Sequence, residues 1–505
     1  MRRFPIALLS ACSRLVLGAA QSADFPVPVQ FPIHCNSTAS LFRALEASLS
    51  PDAAVFYPGS EGFQTATKRW SELESPMADV LIVPATEDDV AKTVRQAHEY
   101  GFPVLAFNGV HGSITTLGGM KRGVAISLRQ LSSVEVAEDG KTATIGGGTA
   151  SKFVTDTLWE AGKQTVTGTC ECVSYLGPAL GGGHGWLQGH HGLVADQFTS
   201  MNVVLASGEL RTINSSSDLW WAVKGAGQNF GIVTSVTVKA YDIEHTDWAI
   251  ETLIFSGDSV EAVYETANKH FSDLDPSVIN WSYWLNMPEV DPDRPVILFY
   301  IIQEGVTEVD PMYTKPFRDI GPLSCEAKSG TYRDLATWTG IAVDSPPCQK
   351  AGLANPRFPM YLRQYNVAAQ REVYDIFAAE VGGDSPFSAS LFMFEAYPQQ
   401  GVRAVDRETT AFAFRDDSLL AAPLLTYAPA GKEREDEAKR IGNKLRNILR
   451  QGSGREELHA YVNYAYGDEN SKGWYGHEPW RQDRLRELKR KYDPKYRFSF
   501  YAPVA

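Results

Sequence analysis

Residues 168–185 read GTCECVSYLGPALGGGHG: two cysteines one residue apart, then three consecutive glycines followed by His184 and Gly185. Lacking a Cβ, glycine reaches positive φ and lets backbone N–H groups approach an anion closely, so such a run suits a pyrophosphate cradle as well as a plain turn. Three further clusters share this character: Asn108-Gly-Val-His-Gly112, Gly146-Gly-Gly148 and Gly225-Ala-Gly-Gln-Asn-Phe-Gly231. A Rossmann site needs G-x-G-x-x-G between a strand and a helix. Residues 225–231 instead follow a helical pattern and precede a strand, and after Gly146–Gly148 the third glycine's place is held by Ser151. No G-x-x-x-x-G-K-[ST] occurs. The soft ligands Cys170, Cys172, His184, His190 and His191 lie close in sequence, but C-x-C with eleven residues before His184 fits no standard zinc clip, so no metal is expected.

At 505 residues the chain exceeds what one core usually supports, and 44% hydrophobic with 21% charged residues is an ordinary globular composition. A net charge of −13 argues against a nucleic-acid partner, which needs clustered Lys and Arg. The first 24 residues, MRRFPIALLSACSRLVLGAAQSAD, have the basic start, apolar stretch and small residues of a secretory signal, although Ser13 and Arg14 interrupt the apolar run. The expectation is a signal over residues 1–20 and a secreted or vesicular, monomeric protein with no membrane span. Asn36, Asn214 and Asn280 then become glycosylation candidates. Removal of Cys12 with the signal leaves Cys35, Cys170, Cys172, Cys325 and Cys348, an odd number that asks for a cysteine bonded elsewhere. A Cys325–Cys348 disulfide is one candidate pairing.

Residues 79–108 read as strand, helix and strand, with Thr86 and Asp89 as a capping box and Gly101 closing the helix. From 122 to 148 short alternating strands follow, with Asp139-Gly140 as a hairpin turn. After about Tyr241 the glycine punctuation stops and a long mixed region begins, containing PVILFYII, AAQREVYDIFAAEV and KEREDEAKRIGNKLRNILR. The last segment closes with the helix RQDRLRELKRKY, whose charges read as a solvated face.

Taken together, these stretches resemble the berberine-bridge-enzyme-like branch of the vanillyl-alcohol-oxidase flavoproteins, in its fungal form. FNGVHG (107–112) resembles the family loop whose histidine bonds the flavin, which places that role on His111, with Phe107 and Val110 standing where an arginine and a glycine are usual. GTCECVSYLGPALGGGHG resembles the family's cysteine segment without a gap and places the second flavin bond on Cys170. The stretches 190–210 and 218–238, HHGLVADQFTSMNVVLASGEL and DLWWAVKGAGQNFGIVTSVTV, continue the match, and Tyr461, Asn463 and Tyr464 in AYVNY (460–464) resemble its Y-x-N-Y motif.

The resemblance implies an α+β fold: a PCMH-type FAD-binding domain over 21–240 with its core at about 76–240, a substrate domain on an antiparallel sheet over 241–455, and a return to the first domain over 456–505. It implies bicovalent FAD on His111 and Cys170, with Asn108, Gly109, Val110, Gly112, Val173, Gly177, Gly181, Gly182, Gly185, Gly231, Ile232 and Val233 around the cofactor. It further implies catalysis by Tyr464, as base or proton relay, together with Tyr461 and Asn463. A free tyrosine has a pKa near ~10, so Tyr464 needs a nearby positive charge or hydrogen-bond partner. Val173, three positions after Cys170, holds the place where valine accompanies oxidases. The expected activity is two-electron oxidation of a small organic molecule, as in fungal secondary metabolism, with oxygen reduced to hydrogen peroxide. The alternatives are an oligosaccharide oxidase acting at the anomeric carbon and a catalytically silent FAD-binding protein.

Overall fold

The computed structural model describes residues 38–504. The signal-like segment, Cys35 and Asn36 lie outside them. Strands Ala54–Phe56, Val80–Val83, Val124–Ser127 and Val104–Phe107 form one sheet in that spatial order. Helix Glu87–Glu99 lays Val90, Val94 and Ala97 onto it, begins in the capping box of Thr86 and Asp89, and gives way to Gly101 at φ 77°. The sequence pattern groups Val124–Ser127 with the hairpin strands that follow it. The strand instead inserts in parallel between Val80–Val83 and Val104–Phe107. A strand buried on both faces carries no local sign of its partner.

A second sheet of five antiparallel strands follows, in the order Val134–Val136, Thr142–Gly146, Ile232–Lys239, Phe198–Val204, Leu210–Asn214. Its hairpin turns at Asp139 and Gly140, the glycine at φ 65°.

The third sheet has seven strands, with Trp248–Phe255, Val296–Glu304, Val278–Leu285, Leu391–Ala396 and Leu419–Leu424 at its centre. Side chains alternate in and out along a strand. Val278, Trp284, Phe299, Phe392 and Phe394 therefore pack toward helices Val260–His270, Val367–Val381 and Lys432–Gly452, while Trp281, Tyr283, Tyr300, Met393 and Tyr397 face the other way. Asn280 sits in the middle of this sheet, 1% exposed and donating to the Tyr300 carbonyl at 2.8 Å, so it is no glycan acceptor. Asn214 is exposed.

Helix Pro479–Tyr492 is not the simple solvated helix its sequence suggests. Arg481 and Lys489 are fully buried. Lys489 Nζ pairs with Asp493 at 2.7 Å and donates to the carbonyls of Asn229 and Phe498, tying the end of the chain to the second sheet. Among the described residues no helix is long and apolar enough to cross a membrane.

Candidate active site

Where the three sheets meet, a cavity of about 860 Å³ opens, within the range of small-molecule sites. One wall is built from the Asn108–Gly112 loop, the Gly168–Pro178 segment and Gly231–Val233, and the opposite wall from the third sheet.

The Asn108–Gly112 loop continues the strand Val104–Phe107. A Cβ at Gly109 would lie 3.2 Å from the Cys172 carbonyl oxygen, a tight contact to which the neighbouring backbone would have to yield. Val110 stands at φ 58°, a conformation costly for a β-branched residue. Its carbonyl accepts the Trp70 amide at 3.1 Å. His111 stacks on Trp70, ring centres 4.2 Å apart, and its Nε2 donates to the Pro347 carbonyl at 2.9 Å. Burial, and secondarily the Arg357 charge, hold the imidazole down at about 3, so it is neutral with the free lone pair on Nδ1.

Cys170 is a free thiol on the same cavity, 3.7 Å from both sulfurs of a Cys172–Cys348 disulfide. Burial pushes its pKa up to about 11. The suggested Cys325–Cys348 pairing is thus replaced. Cys325 is exposed on the sheet's edge strand, Ser324–Gly330.

Tyr464 donates its hydroxyl to Glu395 Oε1 at 2.9 Å, and Tyr397 donates to Oε2 at 2.9 Å. Burial raises the pKa of Glu395, against these two hydrogen bonds and the Arg357 charge. Burial first, then the Glu395 charge, lifts Tyr464 well above 10. The Arg357 guanidinium lies 4.3 Å above the Tyr464 ring. The Arg357 charge beside Tyr464 works against that rise, whereas the Glu395 acceptor adds to it. Tyr461 and Asn463 line the same cavity and also hold the glycine loop. Asn463 Nδ2 donates to Tyr461 Oη and to the Pro178 carbonyl, both at 2.8 Å, and Tyr461 Oη also accepts the His184 amide. They brace the glycine loop.

Of the residues expected around the cofactor, Asn108, Gly109, Val110, Gly112, Val173, Gly177, Gly231, Ile232 and Val233 line the cavity with His111 and Cys170. Gly181, Gly182 and Gly185 do not. Added Cβ atoms there would meet Asn463 Oδ1 at 2.3 Å, the Phe412 ring at 2.5 Å and the Thr167 carbonyl oxygen at 2.2 Å, so these glycines permit close packing behind the wall. Glu395, Arg357 and Tyr397 were not singled out in the sequence. Glu395 left one signal, an acid in phase with Leu391 and Met393 on the inward face of LFMFEAY.

The backbone N–H groups of Gly109, Val110, Gly112 and Ser113 have no acceptor among the described residues. Unpaired donors grouped in one loop fit an anionic group such as a pyrophosphate.

Residues 78–214 match the family model described as an FAD binding domain. The chain is 57% identical to the FAD-linked oxidoreductase chyH of Penicillium rubens, covering 92% of this chain and 93% of that one. It is 54% identical to the FAD-linked oxidoreductase chry5 of Gibberella zeae, covering 92% and 95%. The chain belongs to the FAD-linked oxidoreductases. As an FAD-linked oxidoreductase it binds FAD. Its fold is that of BBE-like 1 of Physcomitrella patens, with a TM-score of 0.78 at 20% identity over 92% of this chain and 99% of that one. It is equally similar in fold to the glucooligosaccharide oxidase of Acremonium strictum, described as carrying a 6-S-cysteinyl, 8α-N1-histidyl FAD, with a TM-score of 0.78 at 18% identity over 92% and 99%.

Proposed function

We propose that this FAD-linked oxidoreductase is an oxidase that holds its flavin covalently through His111 Nδ1 and Cys170 Sγ and oxidises a small organic substrate by two electrons, oxygen becoming hydrogen peroxide. The observation that carries this reading is the Glu395 carboxylate, held by the Tyr464 and Tyr397 hydroxyls on the wall of the cavity that also receives His111 and Cys170. When bound, FAD supplies the two-electron acceptor.

The chain supplies position and proton handling. Tyr464 takes a proton from the substrate as it passes its own to Glu395 Oε1, and Tyr397 fixes the other carboxylate oxygen. Burial makes Glu395 more basic than an ordinary glutamate, which suits a base working near neutral pH. The hydrogen bond to Pro347 leaves His111 Nδ1 as the nitrogen free to bond the cofactor. Consumption of Cys172 by Cys348 leaves Cys170 free. Val173 on the cavity wall supports oxygen as acceptor. The disulfide supports an oxidising compartment and passage through the secretory pathway.

The test is acid denaturation of wild type, His111→Ala, Cys170→Ala and the double variant, with absorbance and intact mass. Flavin should stay with wild type and each single variant and leave the double. Release from wild type overturns the covalent reading. A substrate-reduced enzyme that stays bleached in air, yet is reoxidised by an artificial acceptor, overturns the oxidase reading.

A further inference from the structure

Other buried arginines show how this fold treats a guanidinium: Arg69, on the same cavity, donates to the Gly112 carbonyl. Arg415 pairs with Asp196, Arg446 with Glu469 and Asp468, and Arg481 with Glu478 and two carbonyls. Arg357 differs. It is 8% exposed, lines the cavity, and makes no ion pair or side-chain hydrogen bond with any described residue. Its Nε is buried without a partner. Two rings hold it, Tyr464 at 4.3 Å and Trp70 at 4.7 Å from the guanidinium carbon. Glu395 feels its charge, but both carboxylate oxygens are taken by Tyr464 and Tyr397. A buried charge is costly unless an anion answers it, and the planar fork of arginine matches a carboxylate or phenolate oxygen.

Besides the ring side chains Trp281, Tyr283 and Tyr300, the sheet wall carries a run of apolar residues: Leu285, Leu298, Leu391, Met393 and Leu424. A sugar would need many donors and acceptors around it. Asn355 and Thr426, polar residues of the cavity, are bonded to each other at 2.9 Å, and Asn355 also donates to the Trp70 carbonyl at 2.7 Å.

Resting on the reading of this cavity as the active site, we infer that Arg357 is its anion receptor. The substrate is then a molecule with an apolar, flat body carrying one acidic oxygen, a carboxylate, phenolate or enolate, that seats on Arg357 between Trp70 and Tyr464. The acidic oxygen fixes which substrate bond lies beside Tyr464, so Arg357 determines specificity.

The test titrates the holoprotein with benzoate and with the neutral, nearly isosteric benzamide, following flavin absorbance and tryptophan fluorescence together. Benzoate should bind at least tenfold tighter than benzamide. Arg357→Gln should remove that preference and Arg357→Lys should retain part of it, with flavin content unchanged in both. Equal binding of the two probes, or of neither, to wild type overturns the inference without any variant. So does an unchanged benzoate preference in Arg357→Gln, or loss of flavin from that variant with its benzoate affinity unchanged, which would assign the guanidinium to the cofactor. A protein without flavin would sink the proposed function, while the fluorescence titration would still decide the role of Arg357.

Discussion

Cys172 and Cys348, 176 residues apart, are joined by a disulfide that ties the loop presenting Cys170 to the loop whose Pro347 carbonyl receives the His111 ring. One covalent bond therefore governs the setting of both residues proposed to carry the flavin.

Replacing Cys348 by serine should lower stability by about 2–4 kcal/mol, as expected for a crosslink closing a long loop. It should also free the Pro347 carbonyl from His111. Thermal unfolding and the fraction of acid-stable flavin measure the two effects, and a variant that retains full flavin linkage would show that the disulfide serves stability alone.

Glu395→Gln should reduce kcat by about 10²–10⁴-fold, the usual worth of a positioned base. The working form is the carboxylate, and burial raises its pKa. Activity should accordingly fall as pH drops through a value above the ordinary glutamate range, and this acid limb should vanish in the variant. A pH profile of kcat is the measurement.

His184 is buried and neutral, its pKa lowered to about 4 by burial, with Nδ1 bonded to Gln188 and Nε2 to Tyr361. The unfolded chain takes up this proton near pH ~6.5, whereas the folded chain resists it down to about 4. The neutral-state contribution is thus complete above ~6.5 and lost as pH falls toward the folded value. Urea midpoints should decline over this window, and His184→Gln should flatten the decline.

Val110→Gly should cost about 2 kcal/mol less than Val154→Gly, because relief of strain at φ 58° offsets the lost side chain at Val110, whereas Val154, fully buried in the helix Ser151–Glu160, loses its side chain and helix propensity together. Equal losses in chemical denaturation would mean that Val110 bears no strain.

Lys489→Met should destabilise by about 3–5 kcal/mol by leaving Asp493 buried without its cation. Differential scanning calorimetry reads this directly.

The cofactor side of the site was legible because its requirements are local. Segments that pack closely around a cavity need small residues at particular positions, and Gly109, Gly177 and Gly231, each on its wall with little room for a Cβ, record that need within short glycine-rich stretches. The substrate side was not. Glu395 and Arg357 come from separate segments of the third sheet region, and only the fold brings them to Tyr464. Arg357 lies between Pro356 and Phe358 outside any strand, so no periodicity marks it. The burial of Arg481 and Lys489 was hidden for a related reason: a charged helix reads as solvated until its partners, Asn229 and the chain near Phe498, are known. Cys172 and Cys348 likewise give no sign of pairing across so long a separation.

Phe498, Phe500 and Tyr501 line the same cavity as Asn108–Gly112, and Val504 closes onto Asn229 at 3.0 Å. A ribosome making this chain releases the cysteine and histidine loops hundreds of residues before the wall that completes their pocket. Domains generally fold as they emerge, N-terminal part first, whereas this cavity is walled only once residues 498–501 have joined the earlier loops. A chain lacking those residues would leave the Asn108–Gly112 loop without one wall of its pocket.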